Sequence, residues 1–326
     1  MGGADTTTTK ASNLTPLGLY SRYALAGGLC ASYSHTILVP IDVVKTRLQV
    51  TSGEYNGMVD AIRKIASKEG VGALALGLAP TTTGYILQGA CKFGFFEFFK
   101  STAVSVVGAE TAQKNSYAVY VSSSSLAEGI ASVALSPFEA LRIRNVARPD
   151  YCKNMMDGLS RMYAEEGFNG YYKGLPMLLA KQLPYTVTQL TVFSLLNDVF
   201  YEQLPKYSSK NSKSDLSTSQ QLTVSLACGI VAGVASAIAS HPADTVLSRI
   251  NMENKKAIHA GAVVKSTSNW QATKNIVGEL GFKGLWKGLG TRCFMVGLLS
   301  AGMFLIYDSV KVMCGLPTSS GVGKKN

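Results

Sequence analysis

Three short passages of this 326-residue chain place ionisable groups behind a proline: Pro40-Ile-Asp42-Val-Val-Lys45, Pro137-Phe-Glu139-Ala-Leu-Arg142 and Pro242-Ala-Asp244-Thr-Val-Leu247, the last lacking its base. Acids and bases at fixed spacing suit reversible ion pairing. Set around a threefold arrangement, each acid is expected to meet the base of the next copy, Asp42 with Arg142 and Asp244 with Lys45. Glu139 then faces Leu247 and stays unpaired. An exposed pair is worth only ~0–1 kcal/mol and a desolvated one can cost as much as it returns. Weak pairs of this kind suit a gate that must open.

Further ionisable residues sit inside apolar stretches: His35, Lys92, Glu128 and Lys181. Charge at membrane depth is costly, so such groups face a bundle interior or a wet cavity. His35 lies seven residues before Asp42 and Glu128 eleven before Glu139, whole helical turns that put each on the face of its gate acid. An imidazole with an unperturbed pKa of ~6.5 can exchange protons near neutrality, and Glu128 on the adjacent helix could share that proton. A neutral histidine bonded to backbone is the alternative. Gln88 and Lys92 form an i, i+4 pair; Gln88 could instead bond a neighbouring helix, and Lys92 or Lys181 could snorkel to an interface.

The elements that must position these residues come as repeats. The prolines lie 97 and then 105 residues apart, and each is trailed by a glycine pair, Gly70 and Gly77, Gly167 and Gly174, Gly281 and Gly288. A unit of about 100 residues is too long for the common helical solenoids. Hydrophobic residues make up 47% and charged residues 16%, against ~25% charged in a soluble domain, so a membrane solvent is the simpler reading. Six apolar stretches, 23–39, 78–99, 117–136, 174–200, 222–241 and 288–312, fit a ~30 Å hydrocarbon core. Met58 to Lys68 reads as a polar amphipathic helix between two of them. The expectation is an all-α membrane protein: six transmembrane helices in three pseudo-symmetric repeats (19–108, 115–206, 218–314), with short amphipathic helices. A polar N-terminal tail (1–18) and a basic C-terminal tail (315–326), disordered from Ser319, flank them, and 108–116 and 205–219 read as loops.

Other classes find little support. Thirty-one Lys and Arg against 20 Asp and Glu give a net charge of +11, yet no basic stripe marks a nucleic-acid surface. The six cysteines and three histidines are scattered, without metal-ligand or disulfide spacing. No nucleophile has a paired base, and Gly321-Val-Gly-Lys324 lacks the strand and helix of a phosphate loop, so no enzyme, cofactor or metal site is expected. The polar start lacks the features of a cleaved secretory signal.

The threefold Pro-x-[Asp/Glu]-x-x-[Lys/Arg] pattern with its glycine pairs resembles the mitochondrial carrier family over about residues 20–312. Within it, the chain resembles most the carriers of phosphate, through Ser34-His35-Thr36, Ala79-Pro80-Thr81, Gly84-Tyr85, Gln88-Gly89-Ala90-Cys91-Lys92, Lys181-Gln182-Leu183-Pro184-Tyr185, Ser240-His241-Pro242 and Gly290-Thr291-Arg292. The resemblance implies a six-helix barrel in the mitochondrial inner membrane, kinked at the prolines, with a matrix gate of Asp42, Lys45, Glu139, Arg142 and Asp244. It implies a cytoplasmic gate of Glu97 with Lys100 and Asp308 with Lys311. The middle repeat has Ser194 and Asn197 there, which predicts a thin, largely aromatic closure.

By the same resemblance the substrate site uses Gln88, Lys92, Lys181, Gln182, Tyr185 and Arg292, with His35 and Glu128 coupling protons. The implied partners are inorganic phosphate, protons and membrane lipid such as cardiolipin, with the carrier acting as a monomer. Three residues depart from the pattern: Ser132 where an acid is usual, Gln189 for a lysine, and Leu76 for a base. Transport of another small anion such as a dicarboxylate, or a non-transporting membrane scaffold, are the competing functions.

Overall fold

The computed structural model describes residues 15–41, 43–44, 55–147, 151–207, 216–259, 269–286, 289–316 and 318–319, and helix is the regular structure found among them. Six long helices dominate: α1 (Pro16–Thr36), then α3 (Leu78–Val107) after the short α2 (Met58–Lys68), and α5 (Ser116–Ala147) after α4 (Ala109–Lys114). After α6 (Met155–Glu166) and α7 (Asn169–Tyr172) come α8 (Leu175–Tyr207), α9 (Thr218–His259), α10 (Asn269–Leu285) and α11 (Leu289–Met313). Each long helix packs on its sequence neighbours, and α11 returns to α1, so the six close a ring.

The helices begin and end for local reasons. The Thr15 hydroxyl accepts the Gly18 N–H at 3.2 Å and Pro16 opens α1, an N-cap followed by proline in the first turn. Gly77, with φ +81°, turns the chain into α3. The bend between α2 and the 71–107 stretch is 120°, which lays α2 across the end of the barrel. Its buried residues Ala61 and Ile65 pack with Val44 and Ala73 while the opposite face stays exposed.

Small residues set the helix spacing. Gly27 on α1 faces Gly89 on α3 so closely that a methyl on either would strike the other's carbonyl oxygen. Gly229 and Gly233 on α9 do the same against Ser300 and Ala301 on α11. Without a hydrophobic force between helices in lipid, such close backbone approach supplies the packing.

Among the described residues, α5, α9 and α11 (116–146, 218–246 and 292–313) are long and apolar enough to count as spans by length and composition alone, a fourth if the bent 58–107 pair is joined. Of the other long helices, α3 carries Lys92, Glu97 and Lys100, and α8 carries Lys181, Gln182 and Gln189. The spans also run longer than their apolar stretches, α9 reaching from Thr218 to His259. The expected loop at 108–116 contains α4, and the expected loop at 205–219 begins as the last turn of α8.

Pro137 and Pro242 lie inside the continuous helices α5 and α9. The first repeat differs: α1 stops at Thr36, a turn covers 37–38, and helix resumes at Val39 before Pro40.

Candidate functional site

Among the described residues, one large apolar cluster draws on all six long helices, at the end where α1 begins and α11 ends. It joins Ala26 and Cys30, Phe93 and Phe96, Tyr120, Leu190 and Phe193, Val224 and Cys228, Phe304 and Tyr307. Phe193 stacks on Phe304 with centroids 3.6 Å apart and planes 4° from parallel, and Phe93 stacks on Tyr307 at 4.3 Å. Stacked aromatics from α3, α8 and α11 thus shut this end. Above them Lys100 meets Glu97 at 2.6 Å and Lys311 meets Asp308 at 3.5 Å. Both pairs form within one helix, at i, i+3.

At the Pro-motif end the described residues add pairings that the expected ring does not contain. Arg142 bonds Glu139 of its own motif at 3.1 Å, and Glu139 is therefore paired. The reason is geometric: residues three apart lie on one helix face and reach each other. Asp244 takes Arg292 of α11 on one oxygen and Lys181 of α8, 3.6 Å away, on the other. Arg292 also donates to the Ser240 hydroxyl at 3.0 Å. Asp42 and Lys45, and the side chain of Leu247, lie outside the described residues. Apolar clusters at this end are local, such as Leu141, Tyr151 and Met162, and none among the described residues spans the barrel as the aromatic one does. The molecule is shut by aromatic packing at the end where α1 begins and α11 ends.

Between the two ends lie the remaining candidates. Glu128 is 0% exposed. One of its oxygens accepts Ser132 at 2.7 Å and Gln88 at 3.3 Å; the other has no hydrogen-bond partner. His35 and Glu128 stand on α1 and α5, each of which packs on α3. His35 stacks on Tyr85 of α3, centroids 3.5 Å apart and planes 7° from parallel, three residues before Gln88. Lys92 is buried beside the Phe93 ring, 5.5 Å from its centroid, with no ion-pair partner among the described residues.

On α8, Lys181 keeps a half-exposed side chain (50%) and Gln182 is partly exposed. Tyr185 accepts Gln189, whose amide also donates to Ser300 at 2.6 Å and whose carbonyl oxygen has no partner. Sequence reasoning noted Gln189 and Ser132 only as departures from a pattern. Both prove to be buried hubs, Gln189 tying α8 to α11 and Ser132 supporting Glu128.

Comparison with known proteins fits this geometry. The family profile described as mitochondrial carrier protein matches residues 19–106, 113–204 and 218–316, one match per repeat. The chain belongs to the mitochondrial carrier family. This carrier is 45% identical to mitochondrial substrate carrier family protein N of Dictyostelium discoideum, over 94% of the chain and 98% of that relative. It is 39% identical to human solute carrier family 25 member 3, over 90% of the chain and 76% of the relative. With the mitochondrial phosphate carrier protein of Caenorhabditis elegans it shares 38% over 91% of the chain and 82% of the relative. The carrier is a transporter rather than an enzyme.

Proposed function

We propose that this carrier moves inorganic phosphate together with a proton across the mitochondrial inner membrane by exposing one internal site to each side in turn. The observation that carries the reading is the convergence of Lys181 and Arg292, from α8 and α11, on the Asp244 carboxylate. Two cations around one resident carboxylate make a place where another oxyanion can compete. A phosphate offers the same acceptor oxygens; a guanidinium grips them bidentately and a lysine supplies a point charge. Phosphate that takes both cations leaves Asp244 without its described ion-pair partners, so binding releases the acid of the third Pro motif to pair elsewhere. Substrate thereby favours one gate arrangement over the other, which differential affinity requires. The name of the Caenorhabditis elegans relative, a mitochondrial phosphate carrier, supports the same substrate.

Glu128 supports the proton. One of its oxygens is buried without a hydrogen-bond partner. Gln88 and Ser132 hold the other oxygen in place. His35 stacks on Tyr85, which lies about one turn before Gln88 on α3. A proton travelling with each phosphate monoanion cancels an electrical cost of ~2.3 kcal/mol per charge per 100 mV. In this reading the closed ring of six spans works as a monomer, with lipid such as cardiolipin against the matrix-end helices.

Purified carrier in liposomes tests the proposal. Phosphate uptake should rise with an inward proton gradient, and malate and ATP should compete poorly. Uptake indifferent to pH removes the proton from the reading; saturable malate exchange without phosphate uptake removes the substrate.

A further inference from the structure

We propose that the short segment after α11 is a working part of the cytoplasmic gate, with Ser319 as a positioning residue for the Asp308–Lys311 pair. This rests on the alternating-exposure reading above. The gate has a gap. Repeats one and three bring Glu97 with Lys100 and Asp308 with Lys311, whereas the middle repeat brings Ser194 and Asn197. At that gap lies a cavity of about 10 Å³, the space of roughly one water, lined among others by Glu97, Lys100, Ser194, Asn197, Tyr307 and Ser319. The Asn197 carbonyl oxygen and the Tyr307 hydroxyl are buried without partners. Ser319 is the lining residue that no transmembrane helix supplies.

The segment reaches the gap by specific contacts. Gly315, with φ +74°, turns the chain at the end of α11, a conformation glycine adopts without cost. The Leu316 N–H then donates to the Lys311 carbonyl at 2.8 Å, and the Leu316 side chain is fully buried. The Thr318 hydroxyl donates to Gln221 on α9 at 2.5 Å. Ser319 gives Asp308 both its N–H, at 3.0 Å, and its hydroxyl, at 2.7 Å, and the same hydroxyl accepts Lys311 at 3.3 Å. Ser225 on α9 serves the other Asp308 oxygen, and Arg22 on α1 donates to the Cys314 carbonyl.

Asp308 and Lys311 are almost wholly buried, yet stand 3.5 Å apart where the Glu97–Lys100 pair closes to 2.6 Å. A desolvated ion pair holds only when further hydrogen bonds satisfy its remaining atoms. Ser319 supplies two of them to the acid and one to the base. The segment also links α11 to α9 through Thr318 and to α1 through Cys314. It therefore fastens the third repeat to the first at the closed end, and opening toward the cytoplasm requires it to release Asp308. The expectation of a disordered tail from Ser319 onward fails at Ser319 for this reason: its partners Asp308 and Lys311 belong to the gate.

The test uses full-length carrier, a chain ended at Leu316, Ser319→Ala and Ser319→Asp, each with Ser194→Cys as a reporter in the gap, in oriented liposomes. Keeping Leu316 retains the buried leucine in every variant. A membrane-impermeant maleimide added on the cytoplasmic face should label the reporter at least threefold faster in all three variants, fastest in Ser319→Asp, where a second carboxylate faces Asp308. The half-saturation constant for phosphate should fall two- to threefold on the cytoplasmic face and rise on the matrix face, because loosening one gate shifts the resting population. A merely structural role would lower the maximal rate and leave the ratio of the two constants unchanged, and that result, or unaltered labelling, overturns the proposal. Labelling needs no substrate, so the latch is tested even if phosphate is not what the chain carries.

Discussion

Arg292 on the sixth span is bound to Asp244 of the third Pro motif, so the acid assigned to the gate and the cation assigned to the substrate form one cluster with Lys181. Gate and binding site are therefore joined chemically. Asp244→Asn should free both cations and lower the half-saturation constant for phosphate while slowing turnover; Arg292→Ala should raise it about tenfold, the equivalent of ~1.4 kcal/mol. Initial-rate uptake in liposomes checks both, and an Asp244→Asn carrier with unchanged half-saturation would disprove the competition between carboxylate and phosphate.

Glu128→Gln preserves the shape of the Gln88–Glu128–Ser132 cluster but cannot ionise. Uptake by this variant should persist with a flat response to an imposed proton gradient. Ser132→Ala should retain coupling and lose about 1–3 kcal/mol of stability, since it strips a hydrogen bond from a buried carboxyl group. Uptake at two pH values and melting in detergent separate the two effects.

Much of this was legible in the residues. The triple Pro motif and its glycine pairs gave repeats, spans and the inward placement of Glu128, because whole helical turns separate them. The amphipathic pattern of Met58–Lys68 appeared as α2 with the same bounds. The pairings were not legible. Asp244 and Arg292 are 48 residues apart in sequence, and their meeting depends on how α9 and α11 are rotated, which local spacing does not determine. Nor could composition show that Ser319 is held, since its partners lie on Asp308 and Lys311 and its neighbour Thr318 is anchored to Gln221, all in the folded barrel.

Glycine positions give a contrasting pair of predictions. Gly89→Ala pushes a methyl onto the Gly27 backbone and should cost on the order of 1–3 kcal/mol, as overpacking does. Gly129 on α5 has open space where its Cβ would be. Gly129→Ala should therefore gain up to about 1 kcal/mol from helix propensity. Thermal unfolding in detergent decides both, and equal behaviour of the two variants would refute the close α1–α3 contact.

Outside the membrane, Glu165 on α6 accepts Arg161 at 2.7 Å and the Tyr151 hydroxyl at 3.0 Å. Those hydrogen bonds, Arg161 first, hold its carboxyl below the ordinary glutamate range. A depressed folded-state pKa gives stability that is present above the unfolded value and lost as pH falls through the folded one. Glu165→Gln should lower the melting temperature slightly at neutral pH and have no effect in strong acid. An equal drop at both pH values would contradict this assignment.

The turn at 37–38 sets the first repeat apart, since α5 and α9 continue unbroken through their prolines. A rocking motion about the membrane centre has to bend somewhere, and the cheapest joint lies where no helical hydrogen-bond ladder must be interrupted. That joint begins two residues after His35. His35 thus occupies the last helical turn before that joint, and its stacking on Tyr85 fastens the near side of the joint to α3.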